Sequence, residues 1–138
     1  MTRKLLLRVA AFFTLFTFAG HTTGVIKGPP AEQTAVTNVY EVMRQTMVNL
    51  PMGSPKSIGT LMVGANLCLS VLLLLSGLLF ILLSMTKEKP AGQDNRVLLL
   101  NSLAMLATAA VSFVCFFPMP AICTGLAGIL GLIALRRA

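Results

Sequence analysis

At 138 residues, 56% of them hydrophobic and 11% charged, the chain has too few charged side chains to cover a water-facing surface, for which about 25% is usual. A mean hydropathy of +0.85 excludes a soluble globular domain, and the length fits one domain, 1–138, in a membrane. The net charge of +7 does not mark a nucleic-acid binder, because the basic residues flank apolar segments and form no stripe with interleaved aromatics. The expected partner is the lipid bilayer.

The first span is expected over about residues 4–23, "KLLLRVAAFFTLFTFAGHTT". About 20 apolar residues cross a hydrocarbon core of about 30 Å. Arg8 lies one turn inside and reaches the boundary by extending its stem. A basic start, an apolar run and "TFA" before Gly20 also fit a secretory signal. Arg8 interrupts that run, which favours a retained helix. "GPP" (28–30) then breaks the helix, because proline fixes φ and has no amide donor.

The loop 24–57 is too long for a turn. Over about 30–50, Val36, Val39, Tyr40, Met43, Met47 and Leu50 recur at steps of three and four. Such spacing predicts an amphipathic helix lying on the outer leaflet or capping the bundle. Pro51 ends it. The second span, about 58–85, is the longest, and its core "LCLSVLLLLSGLLFILLSM" carries no charge.

A basic loop with Lys87, Lys89 and Arg96 leads to the third span, about 97–117. The two prolines of "FFPMPAI" are expected to end it and to push Phe117 and Met119 toward extended backbone. The fourth span, about 120–135, therefore returns as an antiparallel hairpin. Its Gly125, Gly128 and Gly131 form small-residue pairs with Ala121, Thr124 and Ala127. Such pairs allow close helix approach, either inside the bundle or on a homodimer face. The expected fold is an all-α bundle of four transmembrane helices with an amphipathic outer helix between the first two.

Eight of the eleven basic residues lie at the N-terminus, in the second loop or at the C-terminus. The positive-inside rule then puts both termini in the cytoplasm, with 24–57 outside, for a multi-pass protein of the inner membrane.

Chemistry is sparse. Glu32, Glu41, Glu88 and Asp94 all fall in expected loops. No intramembrane acid is left for proton-coupled transport, and no carboxylate–histidine set for a di-iron bundle. Cys68, Cys115 and Cys123 lie in apolar runs without a CxxC pair or zinc spacing. Cys115 and Cys123 fall at similar depth beside the proline turn, yet all three are expected as reduced thiols packed as small hydrophobes. No catalytic residue, metal ligand or cofactor is assigned.

A thin polar set remains near the outer face: His21, Thr22, Asn66, Ser112 and Thr124. In straight antiparallel helices these reach similar depth and line a small outward-facing pocket. The competing reading is that each satisfies nearby backbone or faces a neighbouring helix. His21, the only histidine, has an apolar body and a polar tip, which suits a helix end at the boundary. Asn101 sits near the inner end of span three and cannot join them.

A first helix ending in "GHTTG", an outer helix with "EQTAV", a second span with "SVLLLL", a basic inner loop and "FFPMPAI" resemble a family of small bacterial four-helix integral membrane proteins. Gly20, His21, Thr22, Gly24, Glu32, Gln33, Phe117, Pro118 and Pro120 carry the resemblance, and the layout is broadly DoxX-like. Where an aromatic, glycine-rich start to span two is expected of the family, this chain has "IGTLMVGANL". The resemblance implies the four-helix fold and no particular activity. The functional expectation is a non-enzymatic structural or interaction partner in the membrane. The alternative is a binder of a lipid, quinone or other small hydrophobic molecule at the outer polar set, with an enzyme acting on that molecule as an extension.

Overall fold

The computed structural model describes residues 2–28, 34–51, 53–86, 92–115 and 118–137. In chain order these form α1 (Arg3–Lys27), α2 (Thr34–Gln45), β1 (Met47–Val48), β2 (Lys56–Ser57), α3 (Ile58–Met85), α4 (Gly92–Cys115) and α5 (Pro118–Leu135). Among the described residues the fold is all-α apart from one short ribbon. α1, α3, α4 and α5 are each long and apolar enough to cross a membrane, so the four expected spans are present. The chain divides into two compact units, one of residues 1–19 and 72–138 and one of residues 20–71. The divisions fall inside α1 and α3.

Thr2 caps α1: its hydroxyl oxygen accepts the Leu5 amide at 3.4 Å, and its carbonyl accepts the Leu6 amide at 3.1 Å. Such caps satisfy amides that have no partner within the helix. α1 runs past the expected end at residue 23, through "GVIK", a stretch with no proline to break it. It stops at Gly28, whose φ of 66° is left-handed and costs glycine little. The Gly28 amide closes the turn on the Gly24 carbonyl at 3.1 Å. Helix therefore ends before the prolines, which lie outside the described residues.

Within residues 20–71, α2 is shorter than the expected 30–50. Residues 30–33 lie outside the described residues, and the helix ends at Gln45. Met47 and Val48 then pair antiparallel with Ser57 and Lys56, while the Ile58 amide bonds the Thr46 carbonyl at 3.0 Å. Met47 and Leu50 consequently leave the expected helical face. Val39 and Tyr40 are exposed and Met43 is half-buried, so the apolar side chains of α2 find little cover in the chain. Ser57 caps α3, accepting the Thr60 amide at 3.1 Å.

In the larger unit the elements are also longer than hydropathy indicated. α4 starts at Gly92, with Asp94 in its first turn, so Asp94 is helical and not the loop residue expected from sequence. α5 starts at Pro118, so Met119 is helical and not extended. Prolines in a first turn lack only amides that have no intrahelical acceptor. Phe117 lies outside the described residues.

Three glycines set how α4 and α5 pack. A Cβ on Gly125 would stand 3.6 Å from the Ala109 Cβ, and one on Gly128 2.9 Å from the Ser102 carbonyl oxygen. A Cβ on Gly131 would overlap the Ser102 hydroxyl and stand 3.1 Å from the Phe80 ring. Partners descend along α4 as the glycines ascend α5, which makes the two helices antiparallel. The small-residue face is thus occupied inside the chain. On α1, Leu15 lies where a Gly77 Cβ would be 2.6 Å from its side chain, and Leu7, Phe80 and Leu98 are fully buried.

Gly128→Ala is expected to destabilise the protein by about 1–3 kcal/mol, because the new methyl meets backbone that cannot yield. Gly64→Ala, where a Cβ meets nothing within 4 Å, is expected to be neutral or stabilising by up to about 1 kcal/mol. Thermal unfolding in detergent measures both, and equal shifts would contradict the close α4–α5 approach.

Candidate functional site

Of the five polar residues singled out in the sequence, His21, Thr22 and Asn66 belong to the unit of residues 20–71, and Ser112 and Thr124 to the other. His21 and Asn66 meet. His21 is carried by the last turns of α1, Asn66 by the third turn of α3. The His21 Nε2 donates to the Asn66 backbone carbonyl at 3.2 Å. A carbonyl only accepts, so Nε2 carries the proton, and in the neutral ring Nδ1 is left as an acceptor.

Asn66 itself is engaged locally. Its Nδ2 donates to the Met62 carbonyl at 3.0 Å, and its own carbonyl also accepts the Ser70 hydroxyl at 3.1 Å. Thr22 behaves differently. Thr14 and Thr17 donate to carbonyls four residues back, Ala10 and Phe13, each at 2.9 Å, whereas the Thr22 hydroxyl is buried without a hydrogen bond. An unmet buried hydroxyl costs about 1–3 kcal/mol.

In the larger unit Ser112 and Thr124 are buried. The Thr124 hydroxyl donates to the Pro120 carbonyl at 2.7 Å, inside its own helix. Sequence reading passed over a second polar pair. The Ser76 hydroxyl donates to Asn101 Oδ1 at 2.7 Å, and the Asn101 Nδ2 donates back to the Ser76 carbonyl at 3.4 Å. Both residues are buried. The available signal was a serine and an asparagine within uncharged runs, where each needs a partner on another helix.

Among the described residues no three His, Cys, Asp or Glu side chains converge to hold a metal. The cysteines are free thiols. Cys123 is buried as expected, but Cys68 and Cys115 are exposed, because their helix faces turn away from the chain's own core. Comparison with protein-family models, with curated proteins and with solved structures gives no match.

The geometry around His21 is that of a helix-end tie, not of an acid–base pair. His21→Gln retains a donor and is expected to leave insertion and stability within about 0.5 kcal/mol, whereas His21→Leu loses the bond and about 1 kcal/mol. Unfolding midpoints in detergent check this, and loss of a co-purifying metal or chromophore in His21→Gln would contradict it. Alkylation of denatured protein without reductant is expected to label all three cysteines. In folded, detergent-solubilised protein Cys123 is expected to label last.

Proposed function

We propose that this chain is a small multi-pass protein of an inner membrane, with α1 retained as a span, both termini cytoplasmic and residues 24–57 outside. Its role is that of a structural or interaction partner, not of an enzyme. The observation that carries this reading is where the polar side chains go. Inside the apolar helices, the hydroxyls of Thr14, Thr17, Ser70, Ser102, Thr108 and Thr124 each donate to a carbonyl four residues back. Groups satisfied in this way hold the helices apolar and are not aimed at a substrate.

Large apolar side chains point away from the chain along the same helices: Phe12, Leu72, Leu82, Leu100, Phe113 and Val114 are all exposed. In lipid these contact acyl chains or another membrane protein. The eight-to-three division of basic residues supports the orientation.

The second reading, a binder of a small hydrophobic molecule, is favoured by one observation, the unmet Thr22 hydroxyl beside His21 in the chain.

Reporter fusions after residues 40, 90 and 138 are expected to read outside, inside and inside. An outside C-terminus would overturn the orientation. Native mass spectrometry of gently solubilised protein is expected to show no stoichiometric quinone or other small molecule, and one that leaves in Thr22→Val would establish the second reading.

A further inference from the structure

α2 is 12 residues long, a length at which a helix alone in water is marginal. Its sides divide by chemistry. Asn38, Glu41 and Gln45, at steps of three and four, share one side. All three are exposed, and the Gln45 Nε2 donates to Glu41 Oε1 at 2.9 Å. Arg44 faces the first turn of α3, where a Cβ on Gly59 would stand 3.3 Å from the Arg44 Cγ. Val39, Tyr40 and Met43 share another side. Val39 is 57% and Tyr40 44% exposed, Val42 beside them is 61% exposed, and Met43 is half-buried.

The last turn of α2 is held at the entry of α3. The Ile58 amide bonds the Thr46 carbonyl at 3.0 Å, and Met47 and Val48 pair with Ser57 and Lys56. Apolar surroundings begin at that level. No charged residue occurs between residues 57 and 86, and Leu61, Met62 and Val63 are all exposed. Consecutive helical residues point about 100° apart, so these three leave three sides of α3 apolar within about two turns of its start. The 28 residues of α3 measure about 42 Å, which matches a bilayer with its headgroup regions, about 40–45 Å. The first turn of α3, and with it the end of α2, then lies at headgroup depth.

We propose that α2 docks on phospholipid through Val39, Tyr40 and Met43, at the headgroup–acyl boundary beside the entry of α3. The proposal rests on the reading of α3 as a membrane span. At that depth the valine and methionine side chains reach acyl carbon, and the tyrosine ring enters with its hydroxyl left among headgroups. Asn38, Glu41 and Gln45, on their own side, stay in water. A stable protein interface takes about 20–30 residues a side, far more than these few side chains supply, whereas lipid needs no matching surface. The assignment does not depend on which side of the membrane α2 faces.

The test is fluorescence quenching of the full chain in phosphatidylcholine vesicles, with bromine on the upper acyl carbons as the lipid quencher and iodide as the aqueous one. The chain has one tyrosine and no tryptophan, so tyrosine emission from the unmodified protein reports on Tyr40 alone. That emission is expected to be quenched by the bromolipid and protected from iodide. Tyr40→Trp is expected to be quenched by bromolipid about twofold more than Asn38→Trp, because an interfacial helix buries its apolar face about 5–10 Å into the boundary. Iodide is expected to reverse that order. Leu72→Trp, at an exposed position midway along α3, is the reference for lipid contact. Quenching of Leu72→Trp with no difference between Tyr40→Trp and Asn38→Trp would overturn the docking and leave the span intact. Failure of bromolipid at every depth to quench Leu72→Trp would overturn the span and the docking with it. Blue-shifted emission from Tyr40→Trp that neither quencher reaches would place a second copy or another part of the chain on this face, and would overturn the lipid. Iodide quenching of Tyr40 in the unmodified protein, with no effect of bromolipid, would also overturn it, and this arm requires no variant to fold.

Discussion

Hydrocarbon offers no hydrogen bonds, and that constraint governs nearly every polar group in this chain. Backbone amides and carbonyls in the long segments have only helix available to them. The small hydroxyl side chains follow the same rule. Serines and threonines along α1, α3, α4 and α5 turn back on carbonyls of their own helix, which leaves the helix exterior apolar. Where a polar side chain does not turn back, another helix supplies the partner, as for Ser76 and Asn101. In lipid such a bond is worth about 0.6 kcal/mol on average, because alternative partners exist when the helices are apart. Its larger effect is on register, since only one alignment of α3 and α4 satisfies both groups.

With no hydrophobic drive between helices in a bilayer, close approach must come from shape. α5 has 18 residues, about 27 Å at a rise of 1.5 Å per residue, which is short for a span. Its glycines compensate by letting α4 come to contact distance over three successive turns. Gly128 rests on backbone and Gly131 on the side chains of Ser102 and Phe80. Gly128 and Gly131 are therefore taken up by contacts inside the chain.

The two polar features left over differ in kind. At His21 the histidine, the Asn66 carbonyl and Ser70 form a closed arrangement in which each group has a role in joining α1 to α3. At Arg3 the guanidinium is tied to Asn95 through Nη2, while its buried Nε has no hydrogen-bond partner among the described residues.

Much of this protein is determined locally and is legible from the sequence alone. Four uncharged or nearly uncharged runs of 18 or more residues must be helices, because nothing else satisfies backbone in lipid. Ends fared less well. α1 passes residue 23, α4 takes in "GQDNR" and α5 takes in "PMP", since hydropathy measures the apolar part of a helix and capping decides its length. Met47 and Val48 left the helix because pairing with Ser57 and Lys56 outweighed helical periodicity, contacts eight and ten residues away that no local pattern encodes. The polar set was half legible. Depth along a helix can be counted from sequence, so His21 and Asn66 were placed at one level, but rotation about each axis cannot. Only the tertiary structure decides that Ser76 finds Asn101, that Gly128 and Gly131 face α4, and that Arg3 turns its Nε inward. Each of these depends on the azimuth of one helix against another, which is fixed by side-chain packing across the whole interface and by no single segment.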